Sequence, residues 1–574
     1  MLLVDTRRLT GPSHLSRAPL VIVEIALSTH DALDRATALY RQELGRMRQS
    51  LGLSPNPDVV QRAHAGGVVL GYEAPIDVML ACAEMSEWAA LSGIEVFEGR
   101  DPRPLEPRRT EIAAMLERQR SPRLLALREE AKRRGLPFVW DDEMVTLGTG
   151  RRSASFPMTE LPEVAAVSWA KLGRIPVALV TGTNGKTTSS RLLTHIAQGA
   201  GLSVGASSTG GITIAGAMIE DGDCTGPGAA RTVLRHPDVD LAILETARGG
   251  ILRRGLAVDE CDVALITNVS DDHLGLFGID DVAAMAEVKA VVAHAVRDGG
   301  TAVLGAHDEH LVALASRLHC HVTMFASHEG RLYGEDPAAK VMAAVRESGK
   351  RSVFTHDGAI VKAEGKEGTT LLRVDEVPIT FGGAADYNVQ NALGVVGAAL
   401  ALGISREAIA TGLRSFDMKD NPGRGQVATV DGVTVLVDFG HNPEGVRAVM
   451  QLVARLRARA AGGKLTVITG SPGDRPDREI AEVARVIAEA QPDRVIVREL
   501  ADYLRGRALG DVPAVFRRTL RASGLAASVF ELAESEVDAL DKALTSAAPG
   551  DVVALLVHVD ETDVKAFLDA RGAT

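Results

Sequence analysis

From Ile175 onward the chain alternates two hydrophobic patterns. Short, nearly continuous apolar runs, IPVALVT at 175–181, LAILET at 241–246, DVALITN at 262–268 and TAVLG at 301–305, are separated by longer stretches of helical periodicity. A strand that is apolar at every position has both faces covered, so runs of this kind alternating with helices predict a mostly parallel sheet between two helical layers. A second series begins near residue 427, with VTVLVDF at 433–439, LTVITG at 465–470, RVIVRE at 494–499 and VVALLV at 552–557. It predicts a second α/β domain, of Rossmann-like type. Asn421-Pro-Gly-Arg-Gly425 lies between the two and reads as a hinge.

The first 165 residues follow a different rhythm. Val21 to Leu27 and Gly67 to Tyr72 are β-like, a helical pattern runs from about Thr29 to Gln49, and another helix follows Pro75. Arginines interleaved with glutamates from Arg103 to Arg134 read as a solvated helical face. Gly148 to Glu163, rich in Gly, Ser, Arg and Pro, reads as a linker. The expected class is therefore multidomain α/β: an α+β domain with its linker at 1–165, a central parallel-sheet domain at 166–420, and a Rossmann-like domain at 421–574.

Composition narrows the partners. At 574 residues and 46% hydrophobic positions the chain can bury several cores, and a net charge of −12 argues against nucleic acid or an anionic membrane as its principal partner. Four cysteines without CxxC spacing, no apolar run of membrane-spanning length and an N-terminal MLLVDTRRLTGPSH too short in apolar residues for a leader together predict a cytoplasmic protein. Small molecules or another protein are left as partners.

The strongest local signal is TGTNGKTT, Thr181 to Thr188, set between the strand IPVALV and the helical pattern SSRLLTHIAQGAG. A strand that turns through Gly182, Thr183, Asn184 and Gly185 into a helix presents free N–H groups and the positive end of the helix dipole to an anion. Lys186 then reaches the outer phosphates of ATP, Thr187 offers a hydroxyl to Mg²⁺, and Thr188 extends the turn. Val180 stands where the generic phosphate-loop pattern has its first glycine. Glu245, at the carboxyl end of an apolar strand, is placed where open α/β sheets hold ligands. Taken alone, it serves equally well as a metal ligand, a helix cap or a partner of Arg248. His273, in Asn268-Val-Ser-Asp-Asp-His273, reaches the same edge, although an isolated loop histidine is more commonly a surface residue.

Residues 167–574 resemble the Mur ligase superfamily, and within it the Mur-like half of the cyanophycin synthetases. GDCTGP at 222–227, ETARGGILRRGL at 245–256, NPGR at 421–424, VDFGHNP at 437–443 and LRGR at 504–507 carry the resemblance. The N-terminal domain is similar to the start of the same family in LTGPSHLSRAPLVIVEIAL and in SPRLLALREEAKRRGLPFVWDDEMVTLGTG. There an ATP-grasp domain follows, whereas here the chain runs straight on to the phosphate loop.

The resemblance implies ATP and Mg²⁺ as cofactors. It implies an ATP-dependent carboxylate–amine ligation through an acyl phosphate, joining an amino acid to a peptide, polymer or small carboxylate acceptor. Lys186, His273 and Lys289 would be catalytic, and Thr187, Glu245, His273 and a carbamylated Lys289 would serve the metal. Without the resemblance, Lys289 reads as a solvent-facing helix residue. Asn388 and Asn391 match the asparagine pair beside adenine and ribose, with Tyr387 where the family has histidine. Arg424, Asp438, His441 and Asn442 would reach the nucleotide when the third domain closes. Asp223, Thr225 and Arg248, with Arg505 and Arg507 in the third domain, are the substrate-binding candidates; for the last two, surface ion pairing is the competing reading. GAHDE at 305–309 and Phe439-Gly440 depart from the family pattern without removing a group needed for phosphoryl transfer. A separate ATP-grasp ligase is the implied protein partner, the N-terminal domain is implied to hold the acceptor, and self-association stays open. The alternative is a regulatory nucleotide-binding subunit.

Overall fold

A computed structural model describes residues 1–28, 32–327, 337–459 and 463–573. The N-terminal unit is a four-stranded antiparallel sheet in the order Leu2–Leu9, Leu20–Ala26, Gly67–Glu73, Val59–His64, with helices Leu33–Ser50 and Met79–Phe97 packed together on it. Tyr40, Leu44, Trp88 and Leu70 share the core beneath them. The start of the helix predicted from Thr29 falls on residues 29–31, outside the described residues. The arginine-rich stretch forms helices Leu105–Gln119 and Pro122–Arg133, with surface pairs such as Arg109–Glu106 and Arg133–Glu130, as a solvated face should. The expected linker is only partly one. Ala154–Pro157 is a strand that pairs with Met144–Leu147 in a three-stranded sheet, because alternate side chains there, Ala154 and Phe156, pack on the N-terminal core.

The central sheet has eleven strands. Seven run parallel, in the order Val204–Ser208, Leu241–Glu245, Val177–Thr181, Cys261–Ile266, Val296–Gly305, His321–Ala326, Arg351–His356. Antiparallel hairpins extend both edges. The continuous apolar runs have their reason here: Val177 and Leu179 enter one core while Ala178 and Val180 enter the other, so every position of the strand is buried. Helices Lys186–Gly199 and Asp386–Ala401 cover one face; Arg248–Arg254 and Val282–His294 cover the opposite one.

The C-terminal sheet repeats the plan with six strands. Gln426–Val430 is an antiparallel edge, and Val433–Asp438, Val552–Leu556, Leu465–Thr469, Arg494–Arg498 and Phe530–Ala533 are parallel. Leu436 faces one core, and Val435 and Val437 face the other. Among the described residues no helix is long and apolar enough to cross a membrane.

Candidate functional site

The carboxyl ends of the central strands open into a cavity of about 800 Å³. The C-terminal domain forms its far wall. On the near side the strand Val177–Thr181 turns into the helix Lys186–Gly199 at Gly185, whose φ of +82° is closed to ordinary side chains and where a Cβ would stand 2.1 Å from Asn391 Oδ1. Gly182 is equally constrained, since a Cβ there would lie 1.8 Å from Thr267 Oγ1. The turn is held from the next strand: Asn184 N–H donates to Asn268 Oδ1 at 2.9 Å, and Thr267 Oγ1 and Asn268 Nδ2 donate to Asn184 O at 2.6 and 3.1 Å. The first-turn N–H groups of the helix have no intrahelical acceptor, and with Lys186 they face the cavity. Lys186 Nζ donates to Thr183 O at 2.8 Å.

Glu245 ends its strand 2% exposed. It accepts from Thr187 Oγ1 at 3.2 Å and from Thr209 N–H at 3.4 Å. Burial raises its pKa, and the charge of Lys186 opposes that rise. A buried carboxylate beside a threonine hydroxyl and a phosphate cradle is a donor set that suits Mg²⁺, which takes few protein ligands and completes its shell with water and phosphate oxygen. Of the magnesium ligands that the resemblance implies, Thr187 and Glu245 thus have the chemistry to hold the ion, and among the described residues no three His, Cys, Asp or Glu side chains gather into a cage.

Lys289 is not the solvent-facing residue that its helical periodicity suggests. It is 4% exposed, and its Nζ donates to Gly182 O at 2.7 Å. Burial, reinforced by Lys186, holds its pKa well below that of an ordinary lysine.

His273 and its neighbour Asp272 stand where the central and C-terminal domains meet. Arg475, from the loop after Leu465–Thr469, donates to Asp272 Oδ1 at 2.8 Å and to His273 Nε2 at 3.2 Å. His441 Nε2 is 3.7 Å from the other Asp272 oxygen. Burial brings His273 down to about 4, with Arg475 and Arg248 adding to the fall and Asp272 resisting it. Burial also works against the charge of Asp272, but His441, His273 and Arg475 outweigh it and hold the carboxyl well below its usual range. This quartet joins residues about two hundred positions apart. Asp272 lies beside the histidine that the sequence singles out, but Arg475 lies about two hundred positions further on and nothing local signals their pairing.

The remaining candidates divide. Asn388 and Asn391 are buried and bonded to each other at 3.2 Å, and Tyr387 beside them has a buried hydroxyl with no hydrogen-bond partner among the described residues. Arg424 stacks 4.1 Å over Phe439, and Asp438 accepts from Gly425 N–H at 2.7 Å. Asn442 and Asn184 exchange amide hydrogen bonds of 2.9 and 3.3 Å, so the C-terminal domain rests directly on the phosphate loop. Asp223 accepts from Thr225 Oγ1 at 2.7 Å, and both line the cavity with Arg248, whose Nη1 is buried with no hydrogen-bond partner among the described residues. Arg505 also lines it, half exposed and ion-paired with Asp474. Arg507 is not on the lining. Its guanidinium is committed to Gly473 O, Arg475 O and Asp477 within 2.7 Å, so it shapes the loop that presents Arg475.

A phosphate-loop domain capped across its cavity by a second α/β domain defines the class, and comparison with known sequences gives the family. Residues 180–399 match the Mur ligase middle domain, and residues 423–556 match the Mur ligase glutamate ligase domain. The chain belongs to the Mur ligase family. A cyanophycin synthetase of Synechocystis sp. is 40% identical over 377 residues, 65% of this chain and 41% of that protein. One of Geminocystis herdmanii is 37% identical over 385 residues, 67% of this chain and 42% of that protein. The chain thus spans about two-fifths of the length of these relatives. A UDP-N-acetylmuramoyl-L-alanyl-D-glutamate–2,6-diaminopimelate ligase of Gloeobacter violaceus is 26% identical over 388 residues, 63% of this chain and 73% of that protein. Among solved structures, the bifunctional folylpolyglutamate synthase/dihydrofolate synthase of Yersinia pestis aligns with 20% identity and a TM-score of 0.48, covering 69% of this chain and 90% of that one.

Proposed function

We propose that this chain is an ATP-dependent ligase that activates a carboxylate as an acyl phosphate and joins it to the amine of an amino acid. The observation that carries the reading is the convergence of Lys186, Glu245, His273 and Lys289 on one cavity that the C-terminal domain closes. A carboxylate is a poor electrophile because its charge repels nucleophiles and its oxide leaves badly; phosphorylation removes both obstacles.

In this reading the phosphate loop and Lys186 bind the ATP phosphates and draw charge from the transferring phosphoryl group. Thr187 and Glu245 hold Mg²⁺, which neutralises phosphate charge when bound. Lys289, as its carbamate, adds an anionic oxygen for a second Mg²⁺, a hard cation that takes oxygen ligands. His273 is neutral at pH 7 and presents a nitrogen lone pair or N–H, without a charge that would trap the acceptor carboxylate. Asn388 and Asn391 flank the nucleoside, while Arg424, Asp438, His441 and Asn442 join the site only in the closed arrangement, so domain motion gates turnover. Asp223, Thr225, Arg248 and Arg505 line the space left for acceptor and amine. The amine attacks as its free base, the proton passing to water or a carboxylate, and the tetrahedral adduct collapses to amide and phosphate, ADP having left at the first step.

The test is phosphate release from the full chain with MgATP, across amino acids as amines and short aspartyl, glutamyl and arginyl peptides as acceptors, with and without an added ATP-grasp ligase. Release that requires one amine and one acceptor together, and that disappears in Lys186→Ala, is the expected result. ATP binding without stimulation by any pair would point instead to a regulatory subunit.

A further inference from the structure

The N-terminal unit packs against elements that form the wall of the cavity. Thr10 N–H donates to Arg254 O at 2.7 Å and Leu256 N–H to Pro12 O at 2.8 Å, while Arg7 Nη1 donates to Leu252 O at 3.1 Å. Together these contacts fix the helix Arg248–Arg254, two of whose arginines, Arg248 and Arg253, line the cavity. A second set of contacts holds the loop that follows His273. From the turn between Val59–His64 and Gly67–Glu73, Ala65 N–H donates to Asp280 Oδ2 at 2.5 Å. The guanidinium of Arg7 lies 4.9 Å from the centre of the Phe277 ring, and that of Arg253 lies 5.3 Å from it.

Two facts make Arg7 more than an interface residue. It is 8% exposed and tied to Glu24 by a 2.6 Å ion pair, so its guanidinium is fixed from behind before it meets Phe277. The loop it meets is turned on itself at 275–279, where Gly275 N–H donates to Ile279 O at 2.7 Å, but His273 and Phe277 both have left-handed backbone, at φ +56° and +57°, in a segment without helix or strand. Non-glycine residues stay in that region only when their surroundings impose it. Phe277 also lines the cavity, four positions after His273.

We propose that Arg7 is a positioning residue for the 272–281 loop: it clamps Phe277 against Arg253 and so sets where Asp272 and His273 stand in the cavity. The N-terminal unit is then part of the site's construction and not only a docking module for an acceptor. The consequence for turnover rests on the ligase reading above, whereas the clamp itself does not.

The experiment is amide hydrogen exchange on the full chain with MgADP, comparing the wild type with Arg7→Met/Glu24→Gln and with Arg7→Lys. The paired variant removes both buried charges, so neither is left uncompensated. Lysine keeps the pair with Glu24 but has no flat face to lay on Phe277. Exchange in residues 270–282 should rise about tenfold in the paired variant and by less in Arg7→Lys, with residues 186–199 changed less than about twofold. Unchanged exchange at 270–282 in both variants overturns the clamp. If the paired variant exchanges everywhere because it unfolds, Arg7→Lys decides: a rise confined to the loop supports the clamp, and no rise overturns it. A parallel assay uses arginine and a short aspartyl peptide as the probe pair, in which the KM for the peptide should rise about tenfold and that for ATP less than twofold. A wild type that turns over no probe pair while the loop still responds would count against the ligase reading and leave the clamp standing.

Discussion

The two sides of the cavity are built by different means. The phosphate side is backbone held by backbone and by short side chains: Gly182, Gly185, Asn184, Thr267 and Asn268 come from neighbouring strand ends of one sheet, and their geometry follows from the sheet itself. The opposite side, where the proposed acceptor would bind and here called the acceptor side, gathers Asp272 and His273 from the second unit and His441 and Arg475 from the third, with Arg7 of the first packed behind it on Phe277. One side is fixed when the central domain folds. The other exists only when the three units are docked, so it can be opened, and changes there should alter binding and pH response before they alter the fold.

The largest expected effect separates the sides at once. Lys186→Ala removes a charge from the phosphate side and leaves the buried scaffold around it intact; phosphate release should fall by about a thousandfold or more, as happens when a preorganised electrostatic group is deleted. Urea unfolding should shift little. A variant retaining a tenth of the wild-type rate would end the claim that this side performs the phosphoryl transfer.

Next comes Lys289, which belongs to the phosphate side by contact, through Gly182 O, and to the acceptor side by its proposed chemistry. Supplied with ¹³C-bicarbonate, the wild type should show a carbamate resonance that Lys289→Arg lacks, with turnover in the variant reduced by about a hundredfold, within the range ascribed to a single charge-stabilising group. Full activity in the arginine variant would return Lys289 to a structural role.

Arg475→Ala tests the acceptor side alone. Losing the partner of Asp272 should slow turnover by about thirtyfold, the scale of breaking one charge-assisted contact. ATP affinity should hold. Because Arg475 is among the groups that keep His273 near 4, its removal should move the imidazole upward, toward the ordinary histidine range, in an NMR titration. An unmoved histidine would show that burial alone sets its value.

The same contrast explains what could be read from the letters. The phosphate loop itself was legible because Thr181 to Thr188 lie together between a continuous apolar strand and a helical period, and each piece of that pattern has a local cause, whereas its braces Thr267 and Asn268 come from the next strand. Both sheets were legible for the same reason. Hidden were the antiparallel hairpins at the edges of the central sheet, where Ala217–Glu220 is short and exposed at every position, so that its Met218 and Ile219 mark no buried face, and the strand Ala154–Pro157, which its serine, proline and arginine neighbours disguise as a linker. Lys289 was misread by periodicity because the pattern AEVKAVVAH is apolar nearly all round, and in such a helix a charged position need not face water: Glu287 does, Lys289 does not. Arg507 could not be separated from Arg505 in sequence, although one shapes a loop and the other lines the cavity.

The smallest effect concerns Asp438, at the hinge side of the closing domain. Burial raises its pKa from the ordinary 3.8 to about 6, opposed by Arg424 and the N–H groups of Gly425 and Gly440. A folded-state pKa above the unfolded one means that the native protein holds the extra proton. The stability due to this group is therefore fully present below about pH 4 and is lost as pH rises through about 6. Between pH 5 and pH 7 that loss is about 1 kcal/mol for one such carboxyl. Asp438→Asn cannot titrate, so all other groups being shared, its urea midpoint relative to wild type should climb by the equivalent of that amount across the same interval, whatever constant offset the lost contact with Arg424 introduces. Parallel pH profiles for the two proteins would mean that the C-terminal domain opens enough in solution to keep Asp438 hydrated, and the closed contact between Asn184 and Asn442 would then be a minority state.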